Sequence, residues 1–296
     1  MHRIVGFTNL TLFFTPLNLN SPEISPKDRG VIFYYLCRMI KNTLFKATEA
    51  GANEIRRFFN GQFTISNKEG INNLVTEADH AAEKAIFSVI KESFPDHFIL
   101  SEESGEIITN SEYKWIIDPI DGTVNFANGI PLCCVSIGVE FKGEVILGAV
   151  YNPLMGEFFI GEKGKGATLN GKIINVSDKA DIGTSCLATG FPYTYLDREN
   201  GPLQVFEKLI RKGIAVRRIG SAAIDLCWVA AGRFDAFFEQ RLEAWDSAAG
   251  SLIVQEAGGK VTDYDGKPFS VYQYPMIASN GKIHDELLRI VNGGEV

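Results

Sequence analysis

Five short segments rich in Val, Ile and Phe, at residues 98–100, 115–117, 133–141, 145–151 and 157–161, follow one another with Gly, Pro, Asn and charged turns between them. Such runs read as strands, and their succession predicts a largely antiparallel sheet in the first half of the chain. Asn170-Gly171 reads as a hairpin turn, and beyond it the pattern changes. From Ser185 onward strands (186–189, 215–219, 236–239, 260–262) alternate with helices (202–211, 222–231, 246–256), which is an α/β pattern. A boundary near 177–181 therefore divides an α+β half, residues 39–180, from an α/β half, residues 181–296, with a smaller mixed sheet.

Two amphipathic helices precede the strands. The first covers 40–59, where Leu44, Phe45, Ala47, Ala52, Ile55 and Phe58 recur at helical spacing; the second runs from Glu77 to Phe94 and is stopped by Pro95-Asp96. A chain of 296 residues with 45% hydrophobic content can bury a substantial core. Its net charge of -7, without a long basic run, argues against a nucleic-acid surface. The five cysteines form no C-x-x-C pair and read as reduced residues of a cytoplasmic protein. Residues 1–38 stand apart. Their first 30 are rich in Asn, Thr, Pro and Leu, Thr11-Leu-Phe-Phe14 is too short to span a membrane, and Pro16 breaks the run a secretion signal needs. They are expected to form an extension outside the fold, disordered or not native, with translation starting at Met39.

The chemistry concentrates in Trp115-Ile-Ile-Asp-Pro-Ile-Asp-Gly-Thr123. Pro119 disfavours a helical Asp118, so 115–117 is expected to be a buried strand delivering Asp118 at its carboxyl end. Asp121-Gly-Thr then turns into a short helix, where the free N–H groups of Gly122 and Thr123 can bind an anionic oxygen and Gly122 admits it closely. Carboxylate oxygens beside a phosphate suit Mg2+. The same residues alone also read as a capped turn. Four further acidic residues lie at element edges: Asp79 in the first turn of the second helix, Glu102 and Glu103 after a short strand, and Asp246 after Trp245. Each alone reads as a cap or surface carboxylate. Convergence would imply metal, because buried like charges are costly without cations.

Five blocks in order make the chain resemble the inositol monophosphatase family of Mg2+-dependent, Li+-sensitive phosphatases, from about Met39 to the end. They are Leu74-Val-Thr-Glu-Ala-Asp79, Ser101-Glu-Glu-Ser104, Trp115-Ile-Ile-Asp-Pro-Ile-Asp-Gly-Thr-Val-Asn-Phe126, Gly220-Ser-Ala-Ala223, and Trp245-Asp-Ser-Ala-Ala-Gly250 continuing to Glu256-Ala-Gly-Gly259. Gly190-Phe-Pro-Tyr193 and the block at 245–250 resemble the bacterial branch. The resemblance implies a layered αβαβα sandwich of the sugar phosphatase type and a homodimer.

It also implies a site holding two to three Mg2+. Glu102, Asp118, the carbonyl of Ile120 and Asp121 would ligate the metal that binds phosphate; Asp118, Asp121 and Asp246 would share a second; a third would lean on Glu102 and Asp79. Thr123, paired with Asp79, would orient the attacking water. Phosphate would meet the Gly122 and Thr123 amides, and the alcohol would lie near Gly220, Ser221, Ala222 and Glu239, with Glu239 accepting from ring hydroxyls. Lys68 would support the anionic complex, and Glu103 would be a further supporting residue. The implied reaction is hydrolysis of myo-inositol monophosphate or a related polyol or sugar phosphate. The alternatives are fructose 1,6-bisphosphate, a 3'-phosphoadenosine nucleotide, histidinol phosphate, or a non-enzymatic binding role. No nucleic-acid or membrane partner is expected.

Overall fold

In the computed structural model the described residues are 26–59, 61, 64–67, 74–191 and 201–296, with the backbone alone described for 26–34. Residues 43–296 group into one compact unit and residues 1–42 into another, of which the described part is the beginning of α1 (Pro26–Phe58). That helix starts well before the expected Ile40. Pro26 stands in its first turn, where a missing N–H loses no intrahelical bond. The expected disorder of residues 1–25 lies outside the described residues.

A short antiparallel pair, β1 (Ile65–Asn67) and β2 (Leu74–Thr76), leads into α2 (Glu77–Ser93). Then come β3 (Phe98–Ser101), β4 (Gly105–Ile107), β5 (Tyr113–Asp121), α3 (Thr123–Ala127), β6 (Cys134–Phe141), β7 (Glu144–Asn152), β8 (Glu157–Glu162), β9 (Gly166–Leu169) and β10 (Lys172–Ile174). The first sheet has the order β10-β9-β8-β7-β6-β5-β3-β4 and is antiparallel except between β3 and β5. Asn170 and Gly171 both have positive φ at the β9–β10 turn, the backbone that a two-residue hairpin of matching twist requires. In the second half, β11 (Cys186–Thr189), α4 (Pro202–Arg211), β12 (Ala215–Arg217), α5 (Ala222–Ala230), β13 (Ala236–Glu239), α6 (Ala244–Glu256), β14 (Lys260–Thr262), β15 (Met276–Ser279) and α7 (His284–Val291) build a sheet of order β12-β11-β13-β15-β14. Its first three strands are parallel and β15 runs against both neighbours, so it is mixed.

Strand alternation assigns the layers. On β6, Val135 faces the helices α1 and α2, where it and Ile86 sit against Gly51, while Gly138 three residues on faces α6. In the second sheet Leu187, Ala236, Phe238 and Ile277 pack with α4 and α7, and Ala188, Phe237 and Ala278 pack toward α5 and α6. The order is helix, sheet, helix, sheet, helix, the sandwich anticipated from the sequence.

The middle layer touches the first sheet along a row of glycines. Gly138, Gly148 and Gly161 are cross-strand neighbours on β6, β7 and β8. A Cβ at these places would stand 2.8 Å from Ala248 Cβ, 2.7 Å from the Ala249 carbonyl oxygen and 3.1 Å from Ile253 Cα. Bare backbone therefore sets how closely α6, and Asp246 in its first turn, approach the sheet.

Candidate active site

The strand carrying the two central carboxylates does not stop at Asp118. β5 passes through Pro119 to Asp121, and a register shift against β6 separates the two acids. A bulge suits this place, since Pro cannot donate to the ladder and the extra residues re-aim the side chains. Asp118 is buried, and its Oδ1 has no hydrogen-bond partner among the described residues. Asp121 Oδ2 accepts from Ser221 Oγ at 2.5 Å, from the Ala223 amide at 2.8 Å and from Cys134 Sγ at 3.7 Å. Ser221 caps α5 through its bond from the Ile224 amide, so the start of that helix is fastened to the end of β5. Gly122 follows with φ 91°, where a Cβ would lie 2.7 Å from the Leu132 carbonyl oxygen; only glycine fits.

Two of the carboxylates predicted for the site are also helix caps. Asp79 is fully buried at the third position of α2; its Oδ2 accepts from the Thr76 amide (2.7 Å) and hydroxyl (2.6 Å), completing a capping box. Its Oδ1 lies 3.3 Å from the Thr123 hydroxyl, which also faces the Ile120 carbonyl at 3.0 Å. Asp246 repeats the device at the third position of α6, where its Oδ2 accepts from the Glu243 amide at 2.7 Å. The helix therefore begins at Ala244 rather than at Asp246 as the sequence pattern suggested. In each case the cap occupies one oxygen and fixes where the carboxyl group points.

Ligand oxygens of Asp118, Asp121 and Asp246 all lie within 4.8 Å of one another. Burial, then Glu102, Asp121 and Asp246, push Asp118 well above the usual carboxylate range. Burial also raises Asp246, with Asp121 and Glu102 adding to it, and lifts Asp121 to about 6 against the opposing bonds from Ser221 and Ala223. Glu102 thus belongs to the same electrostatic group; its amide is held by the Ile117 carbonyl at 3.1 Å. Glu103 is half-buried beside it. These donors fit a divalent cation: all are hard oxygens, one is buried without a partner, and the mutual repulsion is of the kind a cation relieves.

At the other end, Glu239 closes β13 and is nearly buried. β13 runs parallel to β11, so Glu239 and Gly190, the residue after β11, share the carboxyl edge of the sheet, a usual place for ligands in α/β folds. A Cβ on Gly190 would stand 2.1 Å from Glu239 Oε2; the carboxylate lies directly over the glycine. Burial, then Asp121, raise Glu239 to about 8, with Arg218 opposing. Gly220 (φ 86°) sits over the Asn125 amide, and Ala222 is the first residue of α5. Lys68 lies outside the described residues.

The sequence profile described as "Inositol monophosphatase family" matches residues 38–293. The chain belongs to the inositol monophosphatase family. It is 43% identical over 243 residues to an inositol-1-monophosphatase of Synechocystis sp., covering 82% of this chain and 85% of that one. It is 41% identical over 249 residues to Nus factor SuhB of Haemophilus influenzae, covering 83% and 93%. Among solved structures, the extragenic suppressor protein suhB of Bartonella henselae superposes with a TM-score of 0.80 at 36% identity, covering 86% of this chain and 99% of that one.

Within this inositol monophosphatase fold, two side chains matter that sequence reasoning left without a role. Asn125 Nδ2 donates to the carbonyls of Leu132 and Ile219, both at 2.8 Å, tying the segment before β6 to the one before α5. Its signal was its place in the block Asp121-Gly-Thr-Val-Asn125. Glu83 is the other. It lies one turn beyond Asp79, and only its spacing on the helix hinted at a shared face. Among the described residues no helix is long and apolar enough to cross a membrane.

Proposed function

We propose that this chain is a Mg2+-dependent phosphomonoesterase acting on myo-inositol monophosphate or a related polyol or sugar phosphate. The observation that carries the reading is the buried, unpartnered Asp118 Oδ1 inside the group formed with Asp121 and Asp246. Glu102, Asp118, the Ile120 carbonyl, Asp121 and Asp246 would hold two to three Mg2+. When bound, Mg2+ supplies charge neutralisation for the phosphate and a water acidic enough to attack at neutral pH.

The chain's own groups do the positioning. The Thr123 hydroxyl has one proton and two lone pairs; with the proton directed to Asp79 Oδ1 or the Ile120 carbonyl, a lone pair is left to accept from the attacking water and aim it. The Gly122 and Thr123 amides receive phosphate oxygens at the start of α3. Ser221 and Ala223 keep Asp121 in place, and Gly220, Ala222 and Glu239 meet the alcohol, with Glu239 taking hydrogen bonds from ring hydroxyls. Lys68 and Glu103 are assigned supporting roles. The division into residues 39–180 and 181–296 is then functional: the first brings metal and phosphate, the second Asp246 and the alcohol pocket. A Li+-sensitive cytoplasmic homodimer completes the reading. The Synechocystis relative's name supports the substrate class.

The test is phosphate release, with and without Mg2+, from myo-inositol 1-phosphate, fructose 1,6-bisphosphate, a 3'-phosphoadenosine nucleotide and histidinol phosphate. Inositol phosphate is expected to lead, with Asp118→Asn silent on all. A preference of more than about tenfold for the nucleotide, roughly 1.4 kcal/mol in transition-state binding, would reverse the substrate order. The name Nus factor carried by the Haemophilus relative favours a second reading, a binding role on the same fold. Wild-type protein without Mg2+-dependent release from any polyol phosphate would leave that reading in place of the first.

A further inference from the structure

The segment bearing Glu102 and Glu103 is a three-residue hairpin loop. Ser101 of β3 pairs with Gly105 of β4, and Gly105 takes φ 70° to close the turn. The tip carries a carboxylate that acts electrostatically on Asp118, Asp121 and Asp246. One side chain from outside the hairpin holds both of its shoulders. Glu83 on α2 is 5% exposed. Its Oε1 accepts from the Ser101 hydroxyl and from the Ser104 amide at 3.0 Å, and its Oε2 accepts from the Ser104 hydroxyl. Ser101 and Ser104 are the residues immediately before and after the Glu102-Glu103 pair.

Glu83 stands four residues after Asp79, so the two acids lie one above the other on a single face of α2. Asp79 reaches Thr123, and Glu83 reaches the hairpin. One rigid helix thus holds two parts of the site that come from different places in the chain. Charge-assisted bonds of this kind are stronger and shorter than neutral ones, and they restrain the direction as well as the position of the loop.

We propose that Glu83 is a positioning residue for the metal site: by fastening Ser101 and Ser104 it holds Glu102 at the distance and orientation from Asp118 at which the group binds a divalent cation. This rests on the reading of Glu102 as a metal-site carboxylate. A buried glutamate that only stabilises the hairpin is the alternative, and the two differ in what they do to metal affinity. Groups that orient metal ligands typically change affinity by about 10–100-fold when altered, whereas a purely structural anchor lowers the melting temperature and leaves affinity alone.

The experiment compares wild type, Glu83→Gln and Ser104→Ala, the last removing one bond at an exposed position so that a folded variant is in hand. Mg2+ binding to the substrate-free protein is measured by calorimetry and by the Mg2+-induced rise in melting temperature, beside the Mg2+ dependence of phosphate release. Expected are a dissociation constant for Mg2+ raised about tenfold in Glu83→Gln and several-fold in Ser104→Ala, and a smaller thermal shift. At saturating Mg2+ the KM for substrate should stay within about twofold of wild type. Variants that bind Mg2+ as wild type does, while melting earlier, would overturn the inference and leave the site's reading intact. Wild-type protein that neither binds Mg2+ nor releases phosphate would overturn both.

Discussion

Replacing Gly148 by Ala puts a methyl group where α6 already is. The new Cβ would lie 2.7 Å from the Ala249 carbonyl oxygen and 2.9 Å from its Cα, against an ordinary contact of 3.4 Å or more. These are backbone atoms that cannot rotate aside, so α6 must withdraw by about 0.7 Å, the difference between 3.4 and 2.7 Å. Overpacking of this kind costs about 1–3 kcal/mol. For a chain of 296 residues a loss near 2 kcal/mol corresponds to a melting temperature lower by roughly 3–4 °C. Asp246 lies one turn before Ala249 on the same helix, so its carboxylate moves with it, and displacement on the order of 1 Å costs about a hundredfold in turnover. Gly138→Ala behaves differently. Its nearest obstacle is the Ala248 Cβ at 2.8 Å, so Ala248→Gly should relieve it, giving a coupling of about 1 kcal/mol or more in a double-mutant cycle. Ala249→Gly should not relieve Gly148→Ala. Thermal unfolding and Mg2+-dependent phosphate release of these variants test the argument. It fails if Gly148→Ala melts with wild type and keeps wild-type turnover, or if Ala249→Gly rescues it as well as Ala248→Gly rescues Gly138→Ala.

Asp118→Asn removes a buried charge that repels its neighbours, so the metal-free variant should melt no lower than metal-free wild type and lose the rise that saturating Mg2+ gives, a linkage effect of about 2.7 kcal/mol at a hundredfold excess over the dissociation constant. Retention of that rise in calorimetry would remove Asp118 from the metal site. Gly190→Ala should displace the Glu239 carboxylate and reduce the preference for inositol phosphate over glycerol phosphate by about tenfold in kcat/KM, roughly one hydrogen-bonded carboxylate; an unchanged ratio would detach Glu239 from the alcohol. His284 is buried between the hydroxyls of Thr262 and Ser279, each 2.8 Å from a ring nitrogen, and burial lowers its pKa to about 4. Because the unfolded chain binds the proton more readily, this residue's stabilisation is present above about pH 6.5 and is lost as pH falls toward 4, by about 3 kcal/mol at most. Denaturant unfolding at pH 7 and pH 4.5 should show a smaller pH-dependent loss in His284→Gln than in wild type, and equal losses would refute the assignment.

Local patterns carried much of the fold. β11, α4, β13 and β14 lie where the alternation put them, because each is bounded by Gly, Pro or charged residues and has one clear period. The elements that were not legible are those whose support comes from elsewhere. β15 is four residues of Met-Ile-Ala-Ser held between β13 and β14, and α7 spans only two turns, so its helical spacing rests on His284, Leu287, Ile290 and Val291 alone. β5 runs past Pro119 because the bulge against β6 accommodates it, which depends on a partner strand and not on local preference.

For the site, the identity of the acids and their places at strand ends and helix starts followed from the order of residues alone, since capping and strand termination are governed by near neighbours. Their meaning did not. A cap and a metal-site carboxylate have the same local pattern, and Asp79 and Asp246 are each a cap with one oxygen already engaged. Only the packing of α6 onto the row of glycines brings Asp246 beside Asp118 and Asp121, more than a hundred residues earlier, within 4.8 Å. Proximity between distant parts of a chain is decided by which surfaces fit together, and that information resides in the tertiary structure.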